Sequence, residues 1–164
     1  MMRIRRRAGF TLIEVLVVVA IIGIVVAIAI VNYLNAIERA RQRRSMADMR
    51  GISTAIEAYA ADFDRYPPAS AFVLPTGLSL PTENLLVVQG YLQPTYIRTL
   101  PLVDGWNSWF TYGSGASRAD YVLRSSGKGG VPQTAPLYEV TTDFRDDIIL
   151  GNGRFVQWPE GVQH

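Results

Sequence analysis

The 164-residue sequence contains no cysteine and only one histidine. The absence of cysteine excludes disulfide bonds and thiolate metal sites, and it indicates little else about the redox compartment. The single histidine, His164, is the last residue, so a histidine-based catalytic triad or acid–base pair would have to use a frayed chain end. These two shortages argue against histidine-based catalysis and against cysteine-based zinc sites.

A complete phosphate-binding loop is also absent. Residues 125–130 read Ser-Ser-Gly-Lys-Gly-Gly, but Val122 stands where the Walker motif needs its first glycine, and Gly129 follows Lys128 where the motif needs serine or threonine. Ser–Lys catalysis through Lys128 would require a preformed cleft, for which the pattern gives no support. We therefore predict that the protein is not an enzyme.

Polar residues are nearly missing from Phe10 to Val31. At about 1.5 Å per residue this stretch forms about 33 Å of helix, which is enough to cross a hydrocarbon core of about 30 Å. Core helices of soluble proteins show a polar face, whereas this stretch shows none before Asn32. We predict a transmembrane helix over residues 10–31.

Glu14 is the one ionisable residue in that helix. A carboxylate costs about 3 kcal/mol at the bilayer centre and less near a helix end, so the surrounding apolar residues still drive insertion. Ionisable groups within a membrane usually have a specific partner, and the helix contains no basic residue to provide one. The alternative is a hydrated carboxylate at the helix N-terminus, stabilised by the macrodipole.

The residues around Glu14 carry a resemblance to a known family. Four arginines precede the small-residue pair Ala8-Gly9, which runs into Phe10-Thr11-Leu12-Ile13-Glu14. This pattern resembles the class III signal of type IV pilins and type II secretion pseudopilins. The resemblance implies that a basic leader, residues 1–9, is cut off between Gly9 and Phe10 and that a prepilin peptidase N-methylates Phe10. The amine of Phe10 would then pair with Glu14 of a neighbouring subunit during assembly.

Cleavage would also change the charge of the protein. Removal of the leader's four arginines leaves 12 basic and 14 acidic residues, so the formal charge falls from +2 to −2 and the pI of about 9.1 does not indicate nucleic-acid binding. The leader arginines should keep the N-terminus in the cytoplasm, which places the C-terminal domain in the periplasm. Arg39, Arg41, Arg43 and Arg44 oppose this orientation, but the first flank usually dominates.

A long helix is expected to continue from residue 32 to about residue 62 and to become amphipathic. Tyr66-Pro67-Pro68 ends it, because proline removes a backbone donor and restricts the residue before it. One apolar stripe on this helix, spaced by three and four residues, consists of Met49, Ile52, Ile56, Tyr59 and Phe63. The rest of the chain must cover that stripe.

The remainder divides into a loop with a short helix, residues 63–101, and a β-region, residues 102–164. Thr82 is a candidate N-cap for a helix through Gln89 that Gly90 ends. Apolar and aromatic runs predict strands at Trp109–Tyr112, Tyr121–Ser125, Ile148–Leu150 and Arg154–Gln157, the last two joined by an Asn152-Gly153 turn. We predict an α+β, pilin-like fold in which one long N-terminal helix packs on a small antiparallel sheet, with residues 32–164 as the periplasmic domain.

Two segments narrow the resemblance to the major pseudopilin of type II secretion. Asp104-Gly105-Trp106-Asn107 with Phe110-x-Tyr112 is similar to that family's D-x-W-G-N-x-[YF]-x-Y, and Tyr121-x-Leu123-x-Ser125-x-Gly127 is similar to its Y-x-L-x-S-x-G-x-D-G. The resemblance implies a membrane-anchored homopolymer, the pseudopilus, that supports protein secretion. Its implied partners are the prepilin peptidase, the inner-membrane assembly platform with its ATPase, and minor pseudopilins, without nucleic acid.

Two alternatives stay open at the level of sequence. Within the same superfamily, the chain could be a major or minor type IV pilin used for adhesion, motility or DNA uptake. From a different class, it could be a signal-anchored periplasmic binding module whose helix never assembles.

The same resemblance implies a calcium ion in the β-region. The aspartate of the family's G-x-D-G falls on Gly129, so one expected ligand is missing. Asp143, Asp146 and Asp147 remain as oxygen ligands of the kind that calcium prefers, and main-chain carbonyls around Ser126 are candidates to join them. The alternative is that these three aspartates are solvated surface charges, and no other cofactor is expected.

Overall fold

The computed structural model describes residues 9–69, 83–133, 138–161 and 163. The predicted leader residues 1–8, most of the predicted loop up to Pro81, the candidate cap Thr82 and His164 lie outside the described residues. The elements are α1 (Leu12–Phe63), a 3-10 turn (Leu85–Val88), α2 (Gln89–Leu92), β1 (Thr111–Ser114), β2 (Tyr121–Ser125), a second 3-10 turn (Gly127–Gly129), β3 (Val140–Thr141), β4 (Ile148–Gly151) and β5 (Arg154–Pro159). This order confirms the α+β, pilin-like fold predicted from the sequence.

The chain forms two compact units that meet in sequence between Ile37 and Glu38. The first unit contains the beginning of α1, which includes the part long and apolar enough to cross a membrane, with a mean hydropathy of 3.2 over 18 residues and none of that window buried. The second unit contains the rest of α1 and the sheet.

The core of the second unit lies between α1 and the sheet. Four of the five predicted stripe residues, Met49, Ile52, Ile56 and Tyr59, are buried there beside aromatic and aliphatic residues of β1, β2 and β4. Phe63 differs from the prediction, because it is the last helical residue and is 52% exposed, although its ring stacks on Tyr59 with centroids 4.5 Å apart. The predicted stripe therefore covers the core up to the final turn of α1.

The five strands form one sheet in the order β1-β2-β4-β5-β3. The first four pair antiparallel, and the turn between β4 and β5 has Asn152 at φ 48° and Gly153 at φ 78°, as a two-residue hairpin of type I′ requires. Strand β3 was not predicted, and it pairs parallel with β5. Residues 142–153, which include β4, connect these two strands, and a parallel pair needs a crossover connection of this kind.

Several predicted boundaries differ in the structure, where β1 ends at Ser114, β4 at Gly151 and β5 at Pro159, each one or two residues later than predicted. Strand β1 begins two residues later than predicted, because Trp109 forms an isolated bridge with Val103 and Phe110 accepts a hydrogen bond from the backbone of Leu85. The short helix does not stop at Gly90 but continues to Leu92. Burial of apolar side chains at Leu85, Val88 and Leu92 outweighs the weak helix propensity of one exposed glycine.

Deletion of residues 1–35 is expected to give a soluble, folded monomer. The truncation keeps Glu38 and all residues of the second unit, so the buried face of α1 retains its cover. Circular dichroism with a cooperative thermal transition, together with a monomer mass by light scattering, checks this expectation. Aggregation of the truncated protein would show that α1 needs a partner to cover it.

Candidate functional site

The predicted cleavage and assembly residues lie at the start of α1. The hydroxyl oxygen of Thr11 accepts a hydrogen bond from the backbone N–H of Glu14 at 3.3 Å, so Thr11 caps the helix. Threonine at the cap with glutamate three residues later is the pattern of a capping box. The cap places the Glu14 carboxylate in the first turn, where the helix macrodipole favours a negative charge.

Gly9, Phe10 and Glu14 are all exposed. The Phe10 ring is 74% exposed, and no side chain of the described residues forms an ion pair with Glu14. The structure therefore places exposed residues Gly9 and Phe10 and an exposed carboxylate at one helix end. The roles of these three residues in cleavage, methylation and assembly stay predictions.

The apolar side chains that follow are exposed on every face of the helix. Eighteen large apolar residues between Phe10 and Leu34 have between 47% and 84% of their surface exposed. Leaving one such side chain in water instead of burying it costs about 1.5–3 kcal/mol. The total free-energy cost of leaving this segment in water would exceed the stability of an ordinary domain. Lipid or other helices must therefore surround it.

Glu38 marks the point where α1 joins the second unit. Its Oε2 accepts a hydrogen bond of 2.6 Å from the indole N–H of Trp106. Its Oε1 lies 3.4 Å from a guanidinium nitrogen of Arg41 and 3.6 Å from the ammonium nitrogen of Lys128. One carboxylate thus ties the helix to two separate loops of the β-region.

The Asp104-Gly105-Trp106-Asn107 segment, singled out by resemblance, has a structural role. The buried Asp104 carboxylate accepts hydrogen bonds from the backbone N–H groups of Trp106 and Ser108 at 2.9 Å and from the Ser125 hydroxyl at 2.7 Å. These bonds satisfy the buried charge and fix the loop against the end of β2.

The three aspartates predicted as calcium ligands occupy different surroundings. Asp143 is exposed and accepts a hydrogen bond from the backbone N–H of Arg145 at 2.9 Å. Asp146 is partly buried and accepts one from the side-chain amide of Gln133 at 2.7 Å. Asp147 is fully buried, and its Oδ2 lies 3.5 Å from a guanidinium nitrogen of the buried Arg124.

Burial raises the pKa of the Asp147 carboxyl to about 6, although the backbone N–H of Gln133 and the Arg124 guanidinium both lower it. A carboxyl with this pKa is largely ionised at neutral pH. A charged pair, Arg124 and Asp147, therefore lies inside the β-region.

Sequence reasoning missed Arg124, Gln133 and Gln157, which surround Asp147. Arg124 lies on β2, every residue of which is buried. The sequence does contain one signal for Arg124, which is a charged residue within an apolar strand. If both faces of such a strand are covered, the charge requires a buried partner. Gln133 and Gln157 carry no such signal, since glutamine is common on surfaces.

The geometry does not fit the expected calcium site. Within the described residues, no group of three or more His, Cys, Asp or Glu side chains is placed to hold a metal ion. The Arg124 guanidinium would also repel a cation beside Asp147. Calcium binding by Asp143, Asp146 and Asp147 stays an untested prediction.

Comparisons with known proteins match both parts of the chain. A family model described as the prokaryotic N-terminal methylation motif matches residues 4–30, and one described as type II secretion system protein G matches residues 32–141. No solved structure matches the chain.

Three curated relatives are each named type II secretion system core protein G. The Klebsiella michiganensis protein is 32% identical over 135 residues, which is 81% of this chain and 92% of the relative. The Dickeya chrysanthemi protein is 29% identical over 79% of this chain and 83% of the relative, and the Escherichia coli protein is 28% identical over 76% and 84%. Because the family model and these relatives agree, the chain belongs to the type II secretion system protein G family.

Proposed function

We propose that this protein is a structural subunit that polymerises through its N-terminal helix into a pseudopilus, which supports type II secretion across the outer membrane. The observation that carries the proposal is the apolar part of α1, whose large side chains are exposed on every face, with the Glu14 carboxylate in its capped first turn. A helix of this kind can insert in a membrane as a precursor and pack against copies of itself after assembly. The family, which consists of structural pseudopilin subunits, supports this proposal.

The proposal includes a route to the filament. The chain inserts in the inner membrane with its N-terminus in the cytoplasm and its second unit in the periplasm. A prepilin peptidase cuts between Gly9 and Phe10 and methylates the new amine of Phe10, as the methylation motif at residues 4–30 supports. The assembly platform and its ATPase then add subunits to the polymer, and minor pseudopilins complete it.

Gly9→Val is expected to leave the precursor uncut but still inserted in the membrane. The substitution adds bulk at the cleavage junction, whereas the apolar segment that drives insertion is unaltered. Mass spectrometry of the membrane fraction should show loss of residues 1–9 from the wild type and an intact leader in the variant. Sheared polymer should be recovered only from the wild type, when each is expressed with the secretion machinery.

Two results would contradict this route. One is an intact N-terminus on the wild-type protein found in polymer. The other is a cut after the apolar segment, which would make that segment an ordinary signal peptide.

A further inference from the structure

Two loops of the β-region meet through direct backbone contact. The backbone N–H of Lys128 donates to the carbonyl oxygen of Phe144 at 2.8 Å. Gly127, with φ 56°, lies so close that a Cβ atom would collide with the carbonyl oxygens of Phe144 and Asp146. A Cβ atom at Gly129 would likewise lie only 2.8 Å from the carbonyl oxygen of Arg145. The carbonyl oxygen of Phe144 thus accepts a backbone hydrogen bond, and those of Arg145 and Asp146 lie against glycine backbone.

Gln133 uses its backbone and side chain to hold the second of these loops. Its backbone N–H donates to Asp147 Oδ2 at 3.0 Å, and its side-chain amide donates to Asp146 Oδ1 at 2.7 Å. Its Oε1 accepts from the backbone N–H of Asp147 at 3.2 Å and from the amide of Gln157 at 3.0 Å. The Gln157 amide also donates to the carbonyl oxygen of Asp147 at 2.7 Å.

Arg124 provides a buried positive charge beside Asp147. Its side chain is 2% exposed, and the Asp147 side chain beside it is fully buried. Asp147 Oδ1 has no hydrogen-bond partner among the described residues, whereas Oδ2 lies 3.5 Å from a guanidinium nitrogen of Arg124. The guanidinium stabilises the buried carboxylate from the side of Oδ2, and a calcium ion on the same carboxylate would meet its repulsion.

We infer that the junction between residues 126–130 and 143–147 is closed by the Arg124 guanidinium and the two glutamine side chains in place of a metal ion, so that the β-region is stable without calcium. The inference does not depend on the proposed function, because it concerns only the second unit.

The first test measures the effect of calcium on thermal stability. The full-length protein in detergent is heated with millimolar calcium chloride or with a chelator, and its tryptophan fluorescence is followed. A bound ligand raises the melting temperature by an amount that follows RT ln(1 + [L]/Kd). We expect the melting temperatures with calcium and with chelator to agree within about 1 °C, because a protein that does not bind calcium is not stabilised by it. A rise of several degrees with calcium would overturn the inference.

The second test removes the guanidinium. Arg124→Met keeps a long apolar side chain but removes the cation beside the buried Asp147, so we expect the melting temperature to fall by about 6 °C or more. The matched control is Arg154→Met on β5, where the arginine is exposed, and it should change the melting temperature by about 1 °C or less. Equal effects of the two substitutions would contradict a structural role for Arg124.

A double variant keeps the test decisive if Arg124→Met fails to fold. Combining it with Asp147→Asn removes both charges, so the double variant should be more stable than Arg124→Met alone. A double variant that is less stable, with effects that simply add, would show that the two side chains do not act as a pair.

Discussion

Replacement of Glu14 by leucine is expected to abolish polymer formation while leaving membrane insertion and leader cleavage intact. Insertion depends on apolar surface, to which leucine adds. Cleavage depends on the Gly9–Phe10 junction, which the substitution does not change. Assembly differs, because the helices of a filament exclude water and a charged amine on Phe10 then needs a counter-charge.

The expected effect on assembly is large for a physical reason. Removing one partner of a buried ion pair typically costs about 3–5 kcal/mol, because the other charge stays buried alone. A cost of that size lowers an association constant by a factor of about a hundred or more. Glu14→Asp should also assemble poorly, because its side chain is shorter by one methylene and the carboxylate falls short of the amine.

A matched control separates the charge of Glu14 from the helix cap. Thr11→Ala removes the hydroxyl that accepts from the Glu14 backbone N–H, but it keeps the carboxylate. Loss of a cap costs about 1 kcal/mol and only frays the first turn, so Thr11→Ala should retain most assembly. The measurement is cross-linked or sheared polymer beside leader cleavage, for each variant expressed with its secretion machinery. If Glu14→Leu forms normal filaments, the carboxylate is only a charge at the helix end, and its pairing with the Phe10 amine of a neighbouring subunit is wrong.

The sequence predicted those parts of the fold whose cause is local. The apolar spacing from Met49 to Tyr59 follows the helical period, so it identified the buried face of α1. Asn152-Gly153 identified the β4–β5 turn, because these two residues readily adopt positive φ. The apolar run after Glu14 identified the exposed part of α1 in the same way.

The parts that the sequence did not predict depend on contacts between distant segments. Strand β3 has two residues and is defined by its pairing with β5, so it has no pattern of its own. Arg124 is buried within β2, which lies between β1 and β4, and the residues of β2 alone do not specify these neighbours. For the same reason Gln133 had no visible role until the fold placed it beside Asp146 and Asp147.

The need for glycine at position 105 also depends on a distant segment. The sequence placed Gly105 in the segment of residues 104–107 that resembles a family pattern, but it did not show why glycine is needed there. In the structure its backbone lies directly against that of Arg41 on α1, and its N–H donates to the Ser45 hydroxyl at 2.9 Å. A Cβ atom at Gly105 would collide with the carbonyl oxygen of Arg41 and lie 2.8 Å from its carbonyl carbon. Neither group is the mobile end of a side chain.

Gly105→Ala is therefore expected to destabilise the second unit strongly. The loop must move away from α1, which breaks the hydrogen bonds of Gly105 to Ser45 and of Trp106 to Glu38. Two lost hydrogen bonds and backbone strain together suggest about 3 kcal/mol, or about 6–12 °C in melting temperature. The control is Gly51→Ala, because Gly51 lies within α1 with no atom near the Cβ position.

Gly51→Ala should be neutral or stabilise by up to about 1 kcal/mol, since alanine favours helix and meets nothing there. Thermal unfolding of the protein lacking residues 1–35 measures both variants, once that truncated protein is shown to fold. The two substitutions add the same methyl group and differ in what surrounds it, so the sign of each shift tests the contact between α1 and the loop at residues 104–108. A Gly105→Ala protein as stable as the wild type would mean that this loop does not hold the helix where it enters the second unit.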